Sequence, residues 1–204
     1  ARQYCTVFLN ISKEESMTAF TTEKIDVEPW FDMELFMGVS QETRLGGDVM
    51  DRFMTLWKNW LPHLTVKGID TGKIKYLLVA LDESVEQDVD KAWEGSPSNA
   101  FLYNALAQTM CMAAVHAVIP EVQDAGCAPA PKPTATLREA LEAEGIPYSN
   151  DKDPILSRRY AVVTHYPFKG GCEICVLQSN CPKGQGQMEA TSVVLPGYEH
   201  PQQM

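Results

Sequence analysis

The feature that most constrains the fold of this chain is a long apolar helix predicted over residues 98–119. Ser96-Pro97-Ser98 provides its start, and Pro120 ends it because proline cannot continue the helical hydrogen-bond ladder. The apolar residues of this segment fall on most faces of the helix: Phe101, Leu102, Ala105, Leu106, Met110, Ala113, Ala114, Ala117 and Val118. A helix of this kind normally lies in the centre of a core.

Cys111 and His116 on this helix are of residue types that can bind metals, but burial in the core explains them more simply. Cys111 lies between two methionines and is predicted to be a small buried apolar residue, because cysteine packs well in cores. His116 is predicted to be a buried, hydrogen-bonded histidine and not a ligand or a general base.

Shorter patterns predict the elements around this helix. Apolar residues at three- and four-residue spacing predict a helix over residues 48–61, and a continuous apolar run predicts a buried strand over 74–81. Further strands are predicted over 4–9 and 159–166 and further helices over 84–93 and 136–145, while 26–40 fits either type. The order of elements predicts an α+β fold, with mixed α/β as the alternative, in which a sheet packs on the two long helices.

The composition changes at residues 126–133, which read Gly-Cys-Ala-Pro-Ala-Pro-Lys-Pro. Three prolines in five residues favour a stiff, extended connector on the surface. We therefore predict a core domain of residues 1–126, followed by a connector and C-terminal arm of residues 127–204. The arm is too small to fold alone, so we expect it to dock on the main domain or on a neighbouring subunit.

Three of the six cysteines lie within ten residues of that arm, as Cys172-x2-Cys175-x5-Cys181, followed by Pro182. We call residues 172–181 the cysteine loop. A tight turn brings two thiolates at this first spacing together, and soft thiolates select zinc, copper(I) or an iron–sulfur cluster. Structural zinc sites usually pair two Cys-x2-Cys or Cys/His units, whereas this loop has one such pair and a lone third cysteine. The pattern favours an iron–sulfur cluster, with zinc as the alternative and disulfides or metal-free thiols third.

The cysteine loop resembles the last three ligands of the [4Fe-4S] loop in endonuclease III-like DNA glycosylases, and a similar spacing occurs in auxiliary-cluster domains of radical SAM enzymes. The resemblance covers residues 165–184 and includes Glu173, Leu177 and Pro182. It implies a [4Fe-4S] cofactor held by the three loop cysteines. The helix-hairpin-helix glycines of the glycosylases and the Cys-x3-Cys-x2-Cys motif of radical SAM enzymes do not occur in this sequence. Ile174, Val176 and Leu177 are expected to shield the cofactor from water.

The fourth ligand has several candidates. Cys127 ranks first because it lies in an extended segment just past the core helix and cysteine is the commonest cluster ligand. His165 ranks second; it stands where the glycosylase loop has its first cysteine, and histidine ligates in special centres of the Rieske type. Cys5, Cys111, a group from another molecule, or an open iron that faces a substrate are the other possibilities.

The net charge restricts the function. The chain has 17 Lys and Arg against 27 Asp and Glu, a net charge of −10. A protein that binds duplex nucleic acid needs basic residues to neutralise phosphates, so a nucleic-acid-processing enzyme is only a distant third hypothesis. An acidic surface suits solubility and pairing with a basic protein partner. With neither a signal peptide nor an apolar run of membrane-spanning length in the sequence, a cytoplasmic location is expected.

These observations predict a soluble iron–sulfur protein with an electron-transfer or cluster-dependent role in anaerobic-type metabolism. Its partner would be a redox protein or a neighbouring subunit. The alternative is a binding or scaffold protein, without catalytic activity, in which zinc staples the C-terminal arm to the core. Enzyme and carrier both stay open, because an open iron would favour substrate chemistry over simple electron transfer. The oligomeric state is open as well.

Overall fold

The computed structural model describes residues 19–150 and 154–181. Four strands lie in this part of the chain: β1 (Thr21–Lys24), β2 (Leu64–Asp70), β3 (Lys75–Leu81) and β4 (Ala161–His165). The helices are α1 (Met33–Ser40), α2 (Gly47–Trp60), α3 (Glu83–Gly95), α4 (Pro97–Val118), α5 (Glu121–Ala125) and α6 (Ala135–Ala143). Short 3₁₀ turns occur at Leu61–His63, Cys172–Ile174 and Gln178–Asn180. Helices combined with an antiparallel sheet make this an α+β fold.

The strands form one antiparallel sheet in the order β1-β2-β3-β4. A short turn joins β2 to β3, in which the Asp70 carboxylate accepts a hydrogen bond from the Gly72 N–H at 2.8 Å. Gly72 has a φ of 76°, a left-handed conformation that glycine adopts without steric cost. The sequence Asp-Thr-Gly-Lys in this turn therefore sets the register of the two longest strands.

Both faces of the sheet are buried, because side chains along a strand alternate between the two faces. Leu77, Val79 and Leu81 of β3 pack into the larger apolar cluster with α2, α3 and α4. The intervening residues of β3, Tyr76 among them, pack into a second cluster with α6. The fold therefore has helices on either side of a four-stranded sheet.

The helix α4 is the centre of the larger cluster, as its apolar sequence predicts. Ser96 caps its start by accepting a hydrogen bond from the Asn99 N–H at 3.4 Å, and the helix packs against α1, α3 and β3. Among the helices in the described part, α4 alone is long and apolar enough to cross a membrane by length and composition. Half of its most apolar window is buried inside the protein.

The structure confirms most of the predicted elements and corrects others. The helices predicted over 48–61, 84–93, 98–119 and 136–145 and the strands over 74–81 and 159–166 are present with bounds shifted by a few residues. Residues 26–40 contain α1, and β1, β2 and α5 were not predicted. The strand predicted over 4–9 lies outside the described residues.

The proline-rich connector lies only partly at the surface, where its composition predicted it. Pro129 and Pro131 are buried, and the Thr164 hydroxyl of β4 donates a buried hydrogen bond to the Pro129 carbonyl at 3.0 Å. The connector is thus packed along the sheet. The predicted division at residues 126 and 127 stays a prediction. Both α6 and β4 follow that division and pack with the same sheet as β2 and β3.

Candidate metal centre

Four cysteines from two separate segments line one small cavity of about 20 Å³: Cys127, Cys172, Cys175 and Cys181. The other residues that line it are Ala125, Pro129, Gly171 and Gln178. Most of this wall is apolar, and all five cysteines in the described part are thiols. The cavity therefore brings together the three loop cysteines and the first-ranked candidate for the fourth ligand.

Consecutive turns of the backbone place the loop cysteines on the same side. The Cys175 N–H donates to the Cys172 carbonyl at 3.2 Å, the Gln178 N–H to the Cys175 carbonyl at 3.1 Å, and the Cys181 N–H to the Gln178 carbonyl at 3.3 Å. Each hydrogen bond closes a turn of three residues, and Cys175 and Cys181 follow their 3₁₀ turns in an extended conformation. The spacing Cys-x2-Cys-x5-Cys fits this geometry because both intervals are multiples of three.

The start of the cysteine loop is fixed by Glu173. Its carboxylate accepts a hydrogen bond from the Gly171 N–H at 3.0 Å, which closes the chain onto the first turn. Gly170 precedes this contact with a φ of 141°, and a Cβ there would overlap the Glu173 carboxylate oxygen. The φ of Gly170 therefore favours glycine, and a side chain there would displace the Glu173 carboxylate from the Gly171 N–H.

Cys127 reaches the cavity because the connector is held between the sheet and the cysteine loop. The helix α5 ends at Gly126, which has a φ of 66° and turns the chain into the connector. The Thr164–Pro129 hydrogen bond ties the connector to β4. The Val176 N–H donates to the Ala130 carbonyl at 3.0 Å and ties it to the loop. Two hydrogen bonds thus fix the segment that carries Cys127.

His165, the second candidate ligand, does not line this cavity. It lies opposite Tyr76 in the β3–β4 register, with the two rings 5.5 Å apart, on the face that packs with α6. The neighbouring Thr164 points to the other face and contacts the connector. Burial, with a smaller effect from the positive charge of Lys169, lowers the pKa of His165. Its Nδ1 atom is buried and has no hydrogen-bond partner among the described residues.

Cys111 lies in the core and away from the cavity. It is 2% exposed, and its thiol donates to the Tyr160 carbonyl at 3.5 Å. Burial raises the pKa of Cys111 to about 12, so the thiol is neutral near pH 7. The prediction of a small buried apolar residue is confirmed. Cys5 lies outside the described residues.

The tip of the cysteine loop is exposed. Val176 is 39% exposed and Leu177 is 42% exposed, and neither lines the cavity, so their expected role in shielding a cofactor stays a prediction. Their side chains leave the cavity because they fall between the positions that the three-residue turns direct inwards. Ala125 and Pro129 line the cavity and form its apolar wall.

The adjacent arginines Arg158 and Arg159 form ion pairs with acidic residues of α3. Arg159 binds Asp90 through two hydrogen bonds of 2.7 and 3.2 Å, and Arg158 lies 3.9 Å from Glu86. The guanidinium of Arg159 also lowers the pKa of Asp90. Both arginines are therefore paired within the fold, and this pair does not form a phosphate-binding patch.

Gln178 was missed by the sequence analysis. It lines the cavity with the cysteines and lies three residues after Cys175 and three before Cys181. The three-residue period of the cysteine spacing marks this position, because the period predicts that residue 178 shares the side of the loop used by the ligands.

No family model, curated protein or solved structure matches the chain. In residues 19–150 and 154–181, no group of three or more His, Cys, Asp or Glu side chains is arranged to hold a single metal ion. The interpretation of the site therefore depends on the four thiols and on the cavity that they line.

Proposed function

We propose that this protein binds one [4Fe-4S] cluster through Cys127, Cys172, Cys175 and Cys181 and transfers electrons. The observation that carries the proposal is the convergence of four thiols, from the connector and the cysteine loop, on one cavity. Four cysteine thiolates are the usual ligand set of such clusters. The largely apolar wall suits a cluster, whose potential depends on burial and on hydrogen bonds to its sulfurs.

The ligand separation that each centre needs distinguishes a cluster from a single ion. Tetrahedral zinc with Zn–S bonds of about 2.3 Å holds its ligand sulfurs about 3.8 Å apart. The thiols surround the cavity without an arrangement of this kind in the described part of the chain. A four-iron cluster is larger than one ion and holds its ligand sulfurs further apart.

A complete set of four cysteines supports electron transfer over substrate chemistry. An iron that binds substrate needs an open or exchangeable position, and Cys127 would fill it. When bound, the cluster supplies one-electron chemistry, in which an electron passes from a reduced donor protein to an oxidised acceptor protein. The exposed loop tip places the cavity close to the surface, where such partners have access. A soluble protein in the reducing cytoplasm, which keeps thiols available for a metal, agrees with this role.

The test is purification of the full chain without oxygen, followed by iron, sulfide and zinc analysis. We expect a brown protein with about four iron and four sulfide per chain, which gains an electron paramagnetic resonance signal on reduction. Serine variants of the four cysteines should each lose iron. Cys111→Ala is the matched control, because this cysteine lies in the core, and it should keep full iron content.

The small volume of the cavity, about 20 Å³, favours a second candidate in which zinc joins the connector to the cysteine loop. This protein would be a colourless binding or scaffold protein with one zinc per chain. The same metal analysis separates the two candidates. One zinc with no sulfide would replace the cluster proposal, and full iron content in the Cys127→Ser variant would remove Cys127 from the ligand set.

A further inference from the structure

Gln178 is the one long polar side chain among the residues that line the cavity, apart from the cysteines themselves. Its backbone is fixed on both sides, since its N–H donates to the Cys175 carbonyl and its carbonyl accepts from the Cys181 N–H. The turn that holds two ligands therefore also holds Gln178 between them. The backbone of Gln178 is thus fixed beside the cavity, while the residue itself is exposed to solvent.

We propose that the side-chain amide of Gln178 donates a hydrogen bond to the bound cluster and raises its reduction potential. This inference rests on the proposed cluster. A glutamine amide carries two N–H donors, and hydrogen bonds to cluster sulfurs are one means by which a protein sets the potential. A donor stabilises the reduced cluster most, because the reduced form carries the extra negative charge.

The position of Gln178 agrees with a tuning role and not with a role in binding. Thiolates are the preferred ligands of a cluster, and four of them already line the cavity. The neighbouring amide residue, Asn180, belongs to the same 3₁₀ turn but does not line the cavity. Of the two amides, therefore, only that of Gln178 belongs to a residue that lines the cavity, which the proposed hydrogen bond requires.

The experiment compares Gln178→Leu with Asn180→Leu in the full chain, purified without oxygen. Iron and sulfide analysis is made first, and the midpoint potential is then measured by a redox titration followed in the visible spectrum. Gln178→Leu should retain its iron and shift the potential to a more negative value. Asn180→Leu should retain both the iron and the parent potential.

Gln178→Glu provides a second variant. A carboxylate has no N–H donor and adds a negative charge, so its potential should be lower than that of Gln178→Leu. Parent potentials in both Gln178 variants, with iron retained, would overturn the tuning role while leaving the cluster intact. Loss of iron from both would also overturn it, because Gln178 would then belong to the binding set. Parent protein without iron contradicts the cluster proposal itself, and the tuning role with it.

Discussion

The helical core around α4 and the cysteine loop are stabilised by different interactions. In the core, buried apolar side chains such as Leu106, Met110 and Val79 are fully enclosed, and burial of each such side chain contributes on the order of 1.5–3 kcal/mol. In the cysteine loop, three-residue turns and one hydrogen bond to the connector hold the backbone. The 3₁₀ turns of the loop contain no buried residue.

This difference separates a core that apolar burial stabilises from a loop that the proposed cluster would help to order. The core has enough apolar burial to fold without a cofactor. The loop gains little from burial, so the free energy of metal binding would supply much of its order, as is general for small metal sites. The two regions should therefore respond independently to substitution.

The largest expected effect is the loss of the proposed cluster on substitution of a single loop cysteine. Cys175→Ser removes a proposed ligand that also lies between two hydrogen-bonded turns, and we expect most of the iron to be lost. The core should remain folded, because Cys175 has no part in the apolar clusters. Iron analysis and far-ultraviolet circular dichroism of the variant measure the two outcomes separately. A collapse of helical content would contradict the independence of core and loop.

The reciprocal change is Leu106→Ala in α4. Leu106 is 0% exposed, and removal of a fully buried leucine side chain costs about 2–5 kcal/mol of unfolding free energy. Denaturant unfolding of the iron-loaded protein should show this loss, while the iron content of the folded protein stays at the parent value. Reduced iron content in the folded variant would show that the core and the metal centre are coupled.

Regular periodicity made the core predictable from the sequence. Apolar residues at helical spacing located α2 and α4, and an unbroken apolar run located β3. The β2 strand was missed because Gly68 and Ile69 interrupt its alternating pattern of apolar and polar residues. Its partner β3 supplies the pairing that the pattern lacks. Local sequence also failed at the connector, since its prolines predict an extended chain but not the neighbours that bury Pro129 and Pro131.

The candidate site was predictable only where its residues are neighbours in sequence. The spacing of the cysteine loop indicated three ligands, and the structure adds that three-residue turns direct them to one side. Which of Cys127 and His165 lies with the loop cysteines depends on the fold: Cys127 lines their cavity, whereas His165 packs beside Tyr76 on the other face of the sheet. The exposure of Val176 and Leu177 likewise depends on the turns and not on their apolar character.

A smaller effect is expected from Gly170→Ala at the start of the loop. Alanine at this φ is strained, and its Cβ would clash with Glu173, so the hydrogen bond from the Gly171 N–H should weaken. Iron should be lost faster to a chelator than from the parent. Gly72→Ala is the control, because Gly72 also has a positive φ but a Cβ added there would meet no atom within 4 Å. It should lower stability by about 1 kcal/mol and leave the rate of iron loss unchanged.

The smallest expected effect is on the pH dependence of the unfolding free energy. It depends on His165, which lies on the face of β4 away from the cavity. Burial lowers the pKa of His165 below the ordinary value of about 6.5, so the folded protein favours the neutral ring. The part of the unfolding free energy that comes from this lowered pKa is fully present above about pH 6.5. It is lost as the pH falls towards the lowered pKa, because the unfolded chain then binds the proton more readily.

His165→Phe removes this proton-binding difference. Its unfolding free energy should therefore fall less than that of the parent between about pH 7 and pH 5. Burial lowers the pKa of His116 as well. Because His116 is present in both proteins, its contribution to the pH dependence of stability cancels when the two are compared. Equal slopes in the two proteins would show that His165 does not titrate with folding. Unchanged iron content in His165→Phe would support its separation from the cysteine cavity, whereas loss of iron would return His165 to the ligand set.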